Sequence, residues 1–188
     1  MSKKLDRRKK YTRSVLKQSL MTILENKPIS SVTVKEICDK ADINRSTFYT
    51  HYRDSYDLLV KIEEEIIEDL YQYLKQYESS LDEEGEKMTI KLLEYIADNQ
   101  SMFKVLLNQN ADPGFEKKLN DVAKQFLIHH WIRKHVPDER ESKYLSTFVV
   151  SGAIHVIKDW IQQDLDHSIP DMARMINQFI NDGLSYIK

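Results

Sequence analysis

Arg45, Ser46, Thr47, Tyr49, Thr50 and His51 crowd hydrogen-bond donors into one short stretch with no acidic group among them. The guanidinium of an arginine forks onto O6 and N7 of guanine, and hydroxyl and phenol groups reach base edges or phosphates. Such a face suits a DNA major groove. The residues around it supply a helix to carry it: Asn44 is a good N-cap, and Phe48 and Tyr52, four apart, form its inward side. Upstream, Thr33 and Glu36 spell a T-x-x-E capping box that opens another helix, with Val34, Ile37, Cys38 and Ala41 as its apolar face and Lys35 among its polar positions. Between the two helices Asp42 stands where a left-handed backbone is needed, a conformation that Asp tolerates better than most residues. Residues 33–52 therefore read as a helix-turn-helix. Its candidate DNA contacts are Thr33, Lys35, Asn44, Arg45, Ser46, Thr47, Tyr49, Thr50 and His51. The bland alternative is a helical hairpin whose polar face only meets water.

The order T-V-x-x-I-x-x-x-A-x-I-x-x-S-T-F-Y-x-H-Y over residues 33–52, followed by D-x-x-D-L-L over 54–59, resembles the DNA-binding domain of the TetR family of bacterial repressors. Two positions depart from the family pattern. Asp42 stands where Gly is common in the turn, and Ser55 where a phosphate-contacting Lys is common at the start of the fourth helix. The stretches L-L-E-Y-I-A-D-N, F-K-V-L-L and a later W-I are similar to the C-terminal region of Firmicutes members of that family. The resemblance implies a homodimer on a near-palindromic operator, a four-helix bundle between subunits made by the last two helices, and a small-molecule effector held in the body. It implies a repressor, with an activator or a coactivator-dependent regulator as the alternative.

The charge distribution points the same way. Residues 1–53 hold 13 Lys+Arg against 5 Asp+Glu, whereas residues 54–188 hold 15 against 25, although the whole chain carries only −2. A basic head attracts phosphate and releases counterions, and an acidic body keeps DNA away from the rest of the surface. With four Gly and four Pro in 188 residues, and apolar positions at helical rather than alternating spacing, the class is all-α with about nine helices. The expected division is a DNA-binding domain over 1–53 and a helical regulatory and dimerisation domain over 54–188. The single cysteine, Cys38, excludes an internal disulfide and reads as a packed thiol suited to a reducing cytosol, so a cytoplasmic location is expected. Neither a signal peptide nor a membrane span is expected.

Along the chain, residues 1–10 read as a mobile basic arm that, beside a recognition helix, reaches phosphates or a minor groove, and a first helix is expected over 11–26 with Val15, Leu16, Leu20, Ile23 and Leu24 inward. Asp54 and Asp57 are expected to cap a long fourth helix carrying Leu59, Ile62, Ile66, Leu70, Tyr73 and Tyr77 inward, with Glu63, Glu64 and Glu65 as a solvated face. A seventh helix is expected to run through Leu119, Val122, Phe126, Leu127 and Trp131, and an eighth over 138–163. The ninth opens at Ser168 with Asp171 as its capping partner, burying Met172, Met175, Ile176, Phe179, Ile180 and Leu184.

Aromatic walls with isolated polar tips make Phe103, Phe126, His130, Trp131, Tyr144, Phe148 and His155 the candidate lining of an effector pocket. Phe148, Ser151, Gly152, Ala153, Trp160, Met175 and Phe179 are the candidate dimer interface, since the small residues admit a close helix and the aromatics supply anchors. Adjacent His129 and His130 point about 100° apart on a helix, so a metal is discounted, and no cofactor is expected. An enzyme is not expected, because no phosphate loop or recognised nucleophile setting occurs. An all-α protein-binding adaptor remains the rival class, and it would leave the basic head unexplained.

Overall fold

The computed structural model describes residues 2–77, 85–128 and 139–184, all helix, turn or loop. The helices are α1 (Ser2–Leu24), α2 (Val34–Ala41), α3 (Arg45–Tyr49), α4 (Ser55–Lys75), α5 (Gly85–Asp98), α6 (Gln100–Leu106), α7 (Gly114–Ala123), α8 (Glu139–Gln162) and α9 (Ile169–Leu184). A 3₁₀ turn, Ile29–Ser31, links α1 to α2. No strand occurs among the described residues. His130, Trp131 and the expected end of the seventh helix lie outside them.

Two compact units divide the chain. The first comprises Met1–Ile66 with Val105–Pro113, and the second Ile67–Lys104 with Gly114–Lys188. The first unit thus takes in the early turns of α4 and the last residues of α6 with the segment that follows them, as well as residues 1–53.

In the first unit α1 begins at Ser2, so the expected mobile arm is helical. Lys, Arg and Leu are strong helix formers, and no Gly or Pro interrupts residues 1–10, so their high charge does not prevent a helix. Leu16, Leu20 and Leu24 fall one per turn on the buried side of α1, while Val15 and Ile23 are only half-buried. With Ile29, Val32, Ile37, Cys38, Phe48, Tyr52, Leu58, Leu59 and Ile62 they make the core of this unit. Val34 and Ala41 flank that core rather than entering it.

The start of α4 is capped as the sequence suggests, with one change of partner. Asp54 Oδ1 accepts the Asp57 amide at 2.8 Å, but the Asp57 carboxylate reaches back to the Arg53 amide at 2.9 Å rather than to Asp54. Ser55 is buried, and its hydroxyl donates to the Val32 carbonyl at 3.2 Å, which fastens α4 to the entry of the helix-turn-helix. The acidic triplet is not a uniform solvated face. Glu64 and Glu65 are exposed and pair with Lys61 and Lys17, whereas Glu63 is fully buried. Position 63 lies four residues beyond Leu59 and three before Ile66, on the row that α4 turns inward.

The second unit is built on α5 packed along α9 and α7 packed against α8. Met88, Leu92, Leu93 and Ile96 of α5 are buried, as are Met172, Ala173 and Ile176 of α9. Met175 and Phe179 are exposed and do not join this core, in contrast to the expectation for the ninth helix. Ser168 and Asp171 pair as expected, the Ser168 hydroxyl donating to Asp171 Oδ2 at 2.6 Å and accepting the Asp171 amide at 3.3 Å. The seventh helix does not continue as one regular element. It closes at Ala123 into a π-helical turn, Lys124–Ile128, in which Phe126 meets Tyr71 edge-on at 5.2 Å.

Candidate nucleic-acid interface

Local hydrogen bonds set each bend of the helix-turn-helix. Thr33 is the N-cap of α2: its Oγ1 accepts the Glu36 amide at 3.2 Å, and Glu36 Oε2 accepts the Thr33 amide at 2.9 Å, so the capping box is closed in both directions. Lys27 donates to Glu36 Oε1 at 2.6 Å. This bond, followed by those from Thr33, draws the carboxyl from its ordinary 4.5 down to about 2. Asp42 ends α2 with φ 52° and ψ 44°, in the left-handed region, and the Ile43 amide returns to the Cys38 carbonyl at 3.0 Å. Asn44 then caps α3, its Oδ1 accepting both the amide and the hydroxyl of Ser46 at 2.8 and 2.9 Å.

The helix carrying the donor-rich face is shorter than the sequence suggests. α3 is α-helical only over Arg45–Tyr49, and the Thr50 and His51 amides close tighter turns onto Thr47 and Phe48. Tyr52 still reaches the interior beside Phe48, the rings 5.7 Å apart. Thr50 Oγ1 donates to the Thr47 carbonyl at 2.6 Å, which competes with continuation of the helix.

Arg45, Ser46, Tyr49 and Thr50 are exposed, and Thr47 and His51 are partly so. Thr33, Lys35 and Asn44 are exposed beside them. Not all of these groups keep a free proton to offer. The hydroxyls of Thr33, Ser46 and Thr50 already donate within the motif, so they face outward as acceptors. The side chains of Lys35, Arg45 and Tyr49 make no hydrogen bond among the described residues. Tyr49 stands one turn beyond Arg45, its ring braced edge-on against Phe48 at 5.6 Å. These three side chains and the Asn44 amide are exposed donors of the motif, with Thr47 and His51 partly exposed beside them.

The basic stretch expected to reach phosphates as an arm is instead the exposed face of α1. Arg7, Arg8, Lys9, Lys10, Tyr11 and Arg13 are all exposed, and the charges of Arg13 and Lys9 are felt at His51. Treating the first ten residues as an arm concealed the fact that helical spacing holds Lys9 and Arg13, four apart, on one side.

The second unit sorts the remaining candidates. Phe103 and Phe126 are buried, and Phe103 lies between Tyr95 at 6.2 Å and Phe115 at 5.9 Å. Tyr144, Phe148 and His155 are exposed on α8, so they do not line an interior with Phe103 and Phe126. His155 Nδ1 is engaged with the Ser151 carbonyl at 2.8 Å. Among the interface candidates Phe148 and Phe179 are each 77% exposed, with Met175 exposed and Ser151 and Ala153 partly so. A Cβ added at Gly152 would meet nothing within 4 Å among the described residues, so their packing does not require a glycine there. Trp160 departs from the group: it is only 2% exposed, and its indole Nε1 donates to the His167 carbonyl at 2.9 Å, closing the turn between α8 and α9. It is a core residue rather than an interface anchor.

Among the described residues no helix is long and apolar enough to cross a membrane, and no cluster of three His, Cys, Asp or Glu could hold a metal.

Comparison with known proteins places this arrangement. The chain is similar to an uncharacterised helix-turn-helix-type transcriptional regulator, YxbF, of Bacillus subtilis strain 168, with 22% identity over 178 residues and 91% of this chain. The chain spans 45% of the length of that curated relative. Its fold is similar to the crystal structure of a TetR transcriptional regulator from Streptococcus agalactiae 2603V, with a TM-score of 0.71 and 22% identity over 96% of this chain and 99% of that one. It is also similar in fold to the regulator FadR of Bacillus subtilis in complex with stearoyl-CoA, with a TM-score of 0.60 and 12% identity over 89% and 96% of the two chains. Residues 83–182 match the TetR-type transcriptional regulator C-terminal region. That match covers more than half of the chain, which belongs to the TetR family of transcriptional regulators.

Proposed function

We propose that the chain is a sequence-specific DNA-binding repressor that acts as a homodimer on a near-palindromic operator and leaves it when a small effector binds. In this reading residues 1–53 form the DNA-binding domain, and 54–188 the regulatory and dimerisation domain. The observation that carries the reading is the outward set Lys35, Arg45 and Tyr49, held by a closed capping box and an Asn44 cap in a strongly basic head. A guanidinium on a helix braced by Phe48 can read guanine in the major groove, and Lys35 can neutralise a phosphate.

The second copy would cover the exposed apolar positions of α8 and α9. Tyr144, Phe148, Val156, Met175 and Phe179 are large and exposed, and a soluble chain seldom leaves such anchors uncovered. A two-fold pair presents two α3 helices to half-sites separated by whole helical turns. The stearoyl-CoA in complex with the FadR neighbour supports a small-molecule effector as a class. By linkage, effector and operator must weaken each other by the same factor.

Fluorescence anisotropy against DNA from beside its own gene, with a shuffled duplex as control across a salt series, tests the reading. Tight binding of the native fragment alone, at two subunits per site, is expected. Equal weak binding of both, lost with salt, would return the adaptor reading.

A further inference from the structure

Within the second unit, Lys91 of α5 lies against both a carboxylate and an aromatic face. Its Nζ donates to Glu94 Oε2 at 2.7 Å and stands 5.0 Å from the centre of the Tyr77 ring. The same carboxylate oxygen accepts the Tyr73 hydroxyl of α4 at 3.3 Å. The Tyr73 ring packs 5.3 Å from both Tyr77 and Tyr95, and Tyr95, itself buried, meets Phe103 at 6.2 Å. An ammonium set on an aromatic face and a carboxylate is the arrangement that holds amine ligands. We propose that the corner formed by Tyr73, Tyr77 and Glu94 binds the ammonium group of a small organic amine, and that Lys91 occupies it as an internal competitor until the amine arrives.

The occupant and its seat are held with unequal strength. The Lys91 and Glu94 side chains are 32% and 35% exposed and three residues apart on one helix, so their ion pair is weak and open to exchange with solvent. The tyrosine rings are fixed by packing against one another, and the Tyr73 hydroxyl keeps Glu94 oriented. Lys91 can therefore swing into water while the aromatic face and the carboxylate stay in place. Burial, and then a hydrogen bond with Tyr77, push the Tyr73 phenol up, and burial, and then the charge of Asp69, push Tyr95 up to about 12, so both rings remain neutral. The excess of Asp and Glu over residues 54–188, 25 against 15 Lys+Arg, draws cations to this part of the chain. A hard metal ion asks for several oxygen ligands, whereas an amine with an apolar tail needs one carboxylate and a ring face. Phe103, a buried candidate for effector contact, extends the aromatic row by way of Tyr95. The inference names the chemical class of the effector and rests on the effector reading for its consequence at DNA.

The test titrates the full chain with phenethylammonium, and with phenethyl alcohol as the neutral control. In the parent chain the Lys91 Cε resonance, assigned by its loss in Lys91→Met, should move to the position of a solvated lysine as the amine saturates, and should not move with the alcohol. Calorimetry should show Lys91→Met binding the amine about tenfold more tightly than the parent, because the competitor is gone, and Glu94→Gln binding it about tenfold more weakly. The resonance of the parent chain carries the test if Glu94→Gln disturbs the fold. A Lys91 signal unmoved by the amine, an equal response to the alcohol, or weaker binding in a folded Lys91→Met overturns the proposal. Operator anisotropy with the amine present should show weaker DNA binding. Displacement of Lys91 with operator affinity unchanged overturns the assignment of the effector's class, whereas a parent chain that binds no operator removes the DNA-binding reading and leaves the amine site standing, since the Lys91 titration contains no DNA.

Discussion

The carbonyl of Asn110 accepts the amide of Ile29 at 2.8 Å, and the Asn110 side-chain amide donates to the Leu24 carbonyl at 3.0 Å. A residue from the segment between α6 and α7 thereby caps the end of α1 and fixes the 3₁₀ turn that feeds the helix-turn-helix, all within the first unit. The Asn108 side chain in turn accepts the Asn110 amide at 2.7 Å. Replacing Asn110 by Ala leaves its backbone bond but frees the Leu24 carbonyl. A loss of about 1 kcal/mol by denaturant unfolding is expected, with faster amide exchange at the end of α1.

The capping box makes stability depend on acid. Glu36 is held at about 2 in the folded chain, well below its ordinary 4.5. A depressed pKa contributes stability that is fully present above 4.5 and is lost as pH falls toward about 2. Unfolding midpoints measured across that range should therefore fall less steeply in Glu36→Gln than in the parent chain. Thr33→Ala removes the cap at every pH and should cost about 1 kcal/mol.

Arg45 and Lys35 should separate specificity from affinity. Arg45→Ala is expected to weaken operator binding by about 1 to 3 kcal/mol and to relax the preference at one base position. Lys35→Ala should weaken binding alike on operator and shuffled duplex, with the salt slope smaller by about one. Far-UV circular dichroism should be unchanged in both, because neither side chain makes a hydrogen bond among the described residues. Equal loss on all sequences for both variants would show that α3 senses only phosphate.

What could be read from sequence was what local hydrogen bonds decide. The Thr33 and Glu36 box, the left-handed Asp42 and the Asn44 cap each involve residues within four of one another, so residue type and spacing suffice. The length of α3 could not be read that way, because the Thr50 hydroxyl competes with the helix for the Thr47 carbonyl. Glu63 shows a different limit. Its charge argues for solvent, but the side of α4 that the core covers is set by partners distant in the chain. Trp160 and Phe148 show the same limit on α8, a helix apolar on two sides: periodicity finds both stripes and does not say which one faces in. The basic stretch at the start of α1 was legible as a phosphate contact but not as a helix, because charge density suggested mobility although Lys, Arg and Leu suit a helix.

The outer stripe of α8 and α9 supplies the last prediction. Phe148 and Phe179 are each 77% exposed, so replacing either with Asp removes little packing among the described residues, and the monomer fold should be retained. In a two-fold interface each substitution appears twice, placing carboxylates in a desolvated patch without partners. Sedimentation should then show a monomer for the Phe148→Asp and Phe179→Asp double variant, at concentrations where the parent chain sediments as a dimer. Operator affinity should fall with it, because two half-sites no longer bind as one unit. Trp160→Ala should behave in the opposite way. It truncates a buried ring and removes the donor to the His167 carbonyl, so about 3 to 5 kcal/mol of stability should be lost through the core itself. If the double aspartate variant still sediments as a dimer, the subunits pair through another surface, and these aromatics serve some other contact.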